Sequence, residues 1–146
     1  MSKVLIVTGG SRGIGHCVSV GAAKLGWDVC INYKTNKIRA DETEDLVKGF
    51  GRKCISVQAD ISKENEINLL FDECEKQLGS ISGFVNSAGV VEPYGIIAEL
   101  RNDELETLIN LNVNGAILGS REAVKRMSTK YGGEGGSIVL LSSVSS

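Results

Sequence analysis

The sequence predicts an α/β fold, a doubly wound parallel sheet with helices on both faces. Three observations predict it. Short apolar runs alternate with helical patterns along the chain. The runs are apolar throughout, as in strands covered on both sides. A glycine-rich turn, Thr8 to Gly15, joins the first run to the first helical pattern. Right-handed crossovers then give the strand order 3-2-1-4-5. At 146 residues, 1–146 is one domain, long enough to bury a core.

Each element follows from its pattern. Residues 3–8 hold Val4-Leu5-Ile6-Val7 and form the first strand. Residues 13–25 place Ile14, Cys17, Val18, Gly21 and Leu25 at helical spacing. Residues 28–33 are the second strand, and residues 38–50 a helix with Ala40, Thr43, Leu46, Val47 and Phe50 on one face. Residues 53–58 are the third strand. Residues 64–78 are the clearest helix, with Ile67, Leu70, Phe71, Cys74 and Leu78 in one stripe. Residues 82–86 are the fourth strand. A long helix over about 103 to 130 has Leu105, Leu108, Ile109, Asn112, Ala116, Ala123 and Met127 on one face. Leu111 and Leu118 fall nearly opposite, so the helix reads equally as scattered surface leucines or as a subunit interface. Glycines 132, 133, 135 and 136 mark a loop, and residues 137–142 are the fifth strand.

Composition narrows the function. Apolar residues make up 42% and charged residues 23%, which fits an ordered globular domain. The net charge of −2, without long runs of one sign, gives no footing for nucleic acid or an anionic membrane. The first apolar run is too short for a signal peptide, and no stretch is long enough to span a bilayer. Cys17, Cys30, Cys54 and Cys74 form no C-x-x-C and read as reduced core thiols of a cytoplasmic protein. His16, the single histidine, has no ligand-spaced partner and reads as incidental.

The glycine turn carries the first chemical signal. Gly9 allows a tight turn, Gly13 lets the backbone approach a pyrophosphate, and Gly15 lets the helix pack on the strand. Free N–H groups and the helix dipole then face an anion. The G-x3-G-x-G spacing is weak evidence alone. The other distinctive polar residues also fall at strand carboxyl ends, where ligands of such sheets bind: Tyr33-Lys34, Asp60, Asn86 to Gly89, and Ser142-Ser143.

Taken in order, these segments resemble the short-chain dehydrogenase/reductase family over the whole chain, nearest to bacterial glucose-dehydrogenase-like and oxoacyl-carrier-protein-reductase-like oxidoreductases. Thr8 to Gly15 is similar to the family's cofactor loop, and Ala59-Asp60-Ile61 to the acidic element near the adenine. Val85-Asn86-Ser87-Ala88-Gly89 is similar to its Asn-Asn-Ala-Gly element, with Ser87 replacing the second Asn. Asn112-Val113-Asn114-Gly115 is similar to the segment with its active-site Asn, and residues 136–143 to the strand ending in its catalytic Ser. The resemblance implies a Rossmann-type fold and hydride transfer between nicotinamide and a carbonyl or secondary-alcohol substrate. It implies cofactor contacts from Gly9, Ser11, Arg12, Gly13, Ile14, Gly15, Asp60, Ile61, Asn86, Ala88 and Gly89. Ser143 is then the group that stabilises charge on the substrate oxygen. Asn112 bends its helix and holds a relay water. The resemblance also implies a homodimer or homotetramer.

Cofactor choice has a physical argument. Selection of NAD requires a carboxylate at the end of strand two for the ribose 2′-OH. Tyr33 stands there, followed by Lys34, with Arg12 in the glycine loop. Two cations and no carboxylate favour a 2′-phosphate, hence NADP(H), with NAD(H) as the second choice. The family's acid/base pair is a Tyr with a Lys four residues later, beyond the catalytic Ser. The expectation is that Tyr33, Tyr94 and Tyr131 do not supply it and that the domain stops short of that segment. Ketone reduction by these residues alone is therefore not expected, since loss of a positioned general acid costs roughly 10²–10⁴-fold. The alternative is a nucleotide-binding module or sensor without chemistry. Residues 90–94, Val90-Val91-Glu92-Pro93-Tyr94, are expected to line one wall of a substrate pocket, and their mixed chemistry selects no substrate class.

Overall fold

Five parallel strands form one sheet in the order β3-β2-β1-β4-β5 in the computed structural model, which describes residues 3–91 and 95–143. They are β1 (Val4–Thr8), β2 (Asp28–Tyr33), β3 (Cys54–Gln58), β4 (Ile81–Asn86) and β5 (Ser137–Leu140). The sheet register pairs Val7 of β1 with Ile31 of β2 and Val85 of β4, and Val85 with Val139 of β5. Both faces of the central strands are buried, the physical reason their sequences do not alternate.

Helices α1 (Gly13–Lys24) and α2 (Lys37–Gly49) cover one face, over Leu5, Val7, Val29, Ile31 and Val85. Helices α3 (Glu64–Leu78) and α5 (Gly115–Met127) cover the other, over Val4, Ile6, Cys30 and Phe84. Phe71 of α3 meets Phe84 with ring centroids 5.4 Å apart. As expected, α3 buries Ile67, Leu70, Phe71 and Cys74, and α2 buries Ala40, Thr43 and Val47. Leu46 and Phe50 of the expected α2 face are exposed, and the Lys24 ammonium lies 5.5 Å over the Phe50 ring.

Two expectations are corrected. The buried face of α1 is Gly15, Ser19 and Ala23, while Ile14 is 61% and Leu25 81% exposed. This helix lies against the glycine loop and β-sheet so closely that only small residues fit beneath it, and the Ser19 hydroxyl satisfies itself on the Gly15 carbonyl at 2.9 Å. The long helix is interrupted: α4 (Asn102–Ile109) passes through a π-type turn over Asn110–Asn114 before α5, and a 3₁₀ turn follows at Thr129–Tyr131. The wide turn adds a residue and rotates the helical register. Leu111 and Leu118, expected opposite the core residues, pack against the same cluster as Ala123 and Met127, and Leu105 and Ile109 face outward.

Glu122, buried on α5, is bonded by Lys125 and Arg126. Arg126 also reaches Asp72 and Glu75 of α3 and lies over the Phe71 ring at 5.2 Å. This network ties α5 to α3. All four cysteines are free, but only Cys30, Cys54 and Cys74 are core thiols; Cys17 is exposed on α1. Burial pushes the Cys54 thiol up to about 12. Among the described residues no helix is long and apolar enough to cross a membrane.

Candidate functional site

The site begins where β1 ends. Thr8 is buried, and its hydroxyl donates to Asn86 Oδ1 at 2.9 Å while accepting the N–H groups of Ser87 (3.1 Å) and Ala88 (3.2 Å). One side chain therefore sets the spacing between the glycine loop and the turn after β4. Gly9 turns with φ +62°, and a Cβ there would lie 2.9 Å from Ala88 Cα, so glycine is required twice over. A Cβ on Gly15 would lie 2.3 Å from the Gly9 carbonyl oxygen, which shows that Gly15 packs on the loop itself rather than on the strand.

These turns border a groove of 440 Å³ at the carboxyl ends of the strands. It gathers Gly9, Ser11, Arg12, Gly13, Ile14, Lys34, Asp60, Ile61, Ala88 and Gly89, which sequence reasoning had placed together. Gly15 and Asn86 support it from behind. A Cβ on Gly13 would meet nothing within 4 Å, so the loop is open there to a ligand. Exposed Arg12 brings a cation to the same wall.

Across the groove, Lys34 Nζ lies 2.7 Å from Asp60 Oδ2. Asp60 Oδ1 accepts the Ser62 N–H at 3.1 Å and its hydroxyl at 2.7 Å. Burial would raise the Asp60 carboxyl, but the hydrogen bonds from Lys34 and Ser62 outweigh it and hold the group below its ordinary value. The sequence alone places two cations and no carboxylate at the end of β2; the fold brings Asp60, two residues past β3, to Lys34.

Asn112 and Ser143 stand apart from the groove's lining. Asn112 lies in the π-type turn, and its amide clamps the loop after β4: Nδ2 donates to the Val90 carbonyl at 2.7 Å and Oδ1 accepts the Val90 N–H at 2.9 Å. Val90 in turn lines the groove. Of the other expected pocket residues, Val91 is exposed, and Glu92, Pro93 and Tyr94 lie outside the described residues. Ser143 is exposed three residues past β5, on the rim that β5 shares with β4; the Leu141 N–H donates to the Asn86 carbonyl at 3.1 Å.

Three features escaped the sequence reading. Buried Asn32 joins two loops: its backbone carbonyl accepts the Gly10 N–H at 3.0 Å, and its Nδ2 donates to the Ala59 carbonyl at 2.9 Å. The available signal was a polar residue inside the apolar run of β2. His16 has a structural partner, since its Nδ1 lies 2.8 Å from Thr43 Oγ1 and links α1 to α2. Tyr33 and Lys37 have the Tyr-x-x-x-Lys spacing. They serve elsewhere, Tyr33 closing β2 and Lys37 opening α2 with its ammonium on both Asp41 oxygens at 2.7 Å.

A sequence model of short chain dehydrogenases matches residues 3–146. The chain belongs to the short-chain dehydrogenase family. Within this family it is 38% identical over 143 residues to an uncharacterized oxidoreductase, YgfF, of Escherichia coli (strain K12), covering 98% of this chain and 58% of that protein. It is 36% identical over 152 residues to "NADPH-dependent aldehyde reductase 2, chloroplastic" of Arabidopsis thaliana, covering 96% and 55%. A double mutant of a Serratia marcescens short-chain dehydrogenase/reductase superposes with a TM-score of 0.90 at 30% identity, covering 97% of this chain and 56% of that one. The chain thus spans a little over half the length of these family members.

Proposed function

We propose that this chain forms the cofactor-binding part of an NADP(H)-dependent oxidoreductase acting on a carbonyl or secondary-alcohol substrate. The observation that carries the reading is the groove itself, where an open phosphate loop and two cations, Arg12 and Lys34, meet at the carboxyl rim. The Arabidopsis relative named as NADPH-dependent supports the cofactor assignment. When bound, nicotinamide supplies or receives the hydride. The Gly9 and Gly10 N–H groups are taken by Asn32, so the loop N–H groups beyond them, up to Gly15 and the start of α1, hold the pyrophosphate. Arg12 and Lys34 bind the 2′-phosphate by charge-assisted hydrogen bonds. Asp60, Ile61, Ala88 and Gly89 enclose the adenosine half. Asn112 acts by fixing Val90, and Ser143 donates to the substrate oxygen as negative charge develops on it. In the family's mechanism a Tyr and a Lys move the proton on that oxygen.

The assembled protein is a homodimer or homotetramer in this reading, supported by the outward apolar residues Leu105, Ile109, Val113 and Ile117 along α4 and α5. Four unpaired thiols suit a reducing, cytoplasmic setting.

The cofactor assignment is tested by Lys34→Asp and Arg12→Ala. Each should weaken NADPH binding by about 10- to 100-fold, the worth of a hydrogen bond to a charged group, and NADH much less. Equal losses for both cofactors in titration calorimetry would sink the assignment.

A further inference from the structure

The Lys34–Asp60 ion pair does more than decorate the groove. Lys34 is 60% exposed at its side chain and Asp60 only 12%, so the carboxylate is the more buried partner and the ammonium the one that faces solvent. Asp60 is anchored three ways: Oδ1 to the Ser62 N–H and hydroxyl, and its own N–H to Glu66 Oε2 at 2.6 Å. Glu66 is itself held by Lys63 at 3.0 Å. The backbone under Lys34 is also set, since Gln58 Nε2 donates to its carbonyl at 2.9 Å. Both groups line the same groove.

We propose that Asp60 sets the balance between phosphorylated and unphosphorylated cofactors by competing for Lys34. The inference rests on Lys34 being the 2′-phosphate ligand. A 2′-phosphate at the end of β2 must share the ammonium with a carboxylate already 2.7 Å from it, and the two anions then repel across a few ångströms. A bare ribose 2′-OH meets no such repulsion. Of the two positive charges at this rim, Arg12 and Lys34, one is cancelled before ligand arrives. Asp60 therefore narrows the preference for NADP(H) and keeps NAD(H) usable.

The experiment measures dissociation constants for 2′,5′-ADP and 5′-AMP by calorimetry on the purified full chain, because their ratio cancels any contact Asp60 makes to the adenine. Asp60→Asn and Asp60→Ser both retain a short acceptor for the Ser62 N–H, so that one serves if the other does not fold. Each should raise the preference for 2′,5′-ADP on the order of 5- to 10-fold at low salt, and less at high salt. The gain should shrink in the Lys34→Met background, where relief of the repulsion between the two anions is all that remains of it. A ratio that is unchanged or lowered in the Asp60 variants, while Lys34→Met alone lowers it, overturns this inference and leaves the cofactor assignment standing. A ratio insensitive to Lys34→Met overturns both.

Discussion

At the residue scale, two glycines of one helix carry opposite expectations. A Cβ on Gly15 would lie 2.3 Å from a backbone oxygen that has nowhere to move, whereas one on Gly21 would meet nothing within 4 Å. Gly15→Ala should cost about 1–3 kcal/mol from overpacking and abolish NADPH binding. Gly21→Ala should instead stabilise α1 by up to about 1 kcal/mol through helix propensity and leave binding intact. Thermal melts with and without NADPH check both, and equal melts for the two variants would refute the packing argument. The glycine pattern was legible in the sequence because it repeats a local demand on the backbone. The roles of Thr8 and Asn32 were not, because each hydrogen-bonds to residues that reach it only through the sheet.

At the element scale, Arg126 ties α5 to α3 through Asp72 and Glu75, and a buried carboxylate of α5, Glu122, holds Arg126 in place. Burial alone would raise the Glu122 carboxyl, but hydrogen bonds from Lys125 and Arg126 outweigh it and hold the group below its ordinary value. A carboxyl depressed in the folded state contributes stability that is fully present above its unfolded pKa of about 4.3 and is lost as pH falls through the folded value. Glu122→Gln should therefore be less stable than the wild type at pH 7, and the gap should shrink as pH drops below about 4. Urea midpoints across this range test the sign; a gap that widens in acid would contradict it. At this scale α3 was readable from its single apolar stripe. The long helix misled, because periodicity counts 3.6 residues per turn and the π-type turn at Asn110–Asn114 does not. The α1 face misled for another reason: its core contacts are made by Gly15, Ser19 and Ala23, residues that no hydrophobicity pattern marks.

At the scale of the whole molecule, β5 stands at the edge of the sheet with Val139 and Leu140 each 52% exposed and Leu141 beside them exposed as well. An apolar strand edge is a template for association. The 146-residue chain should self-associate as its concentration rises, and Leu140→Lys should reduce this without changing NADPH affinity. Light scattering alongside nucleotide titration tests it; a concentration-independent mass for the wild type would contradict the edge argument.

What the sequence by itself determined was the order of the strands and of the helices between them, the parallel sheet and the rim that carries the candidate site. Those follow from local periodicity, turn chemistry and chain handedness, each legible within a few residues. What only the tertiary structure decided was the partnership of groups far apart in the chain. Asp60 meets Lys34 because β3 lies beside β2, Thr8 meets Asn86 because β4 lies beside β1, and Asn112 meets Val90 because a wide turn aims it there. Such pairings depend on which strands become neighbours and on how a helix is phased over them, and a linear pattern of polar and apolar residues does not encode either distance or direction between them.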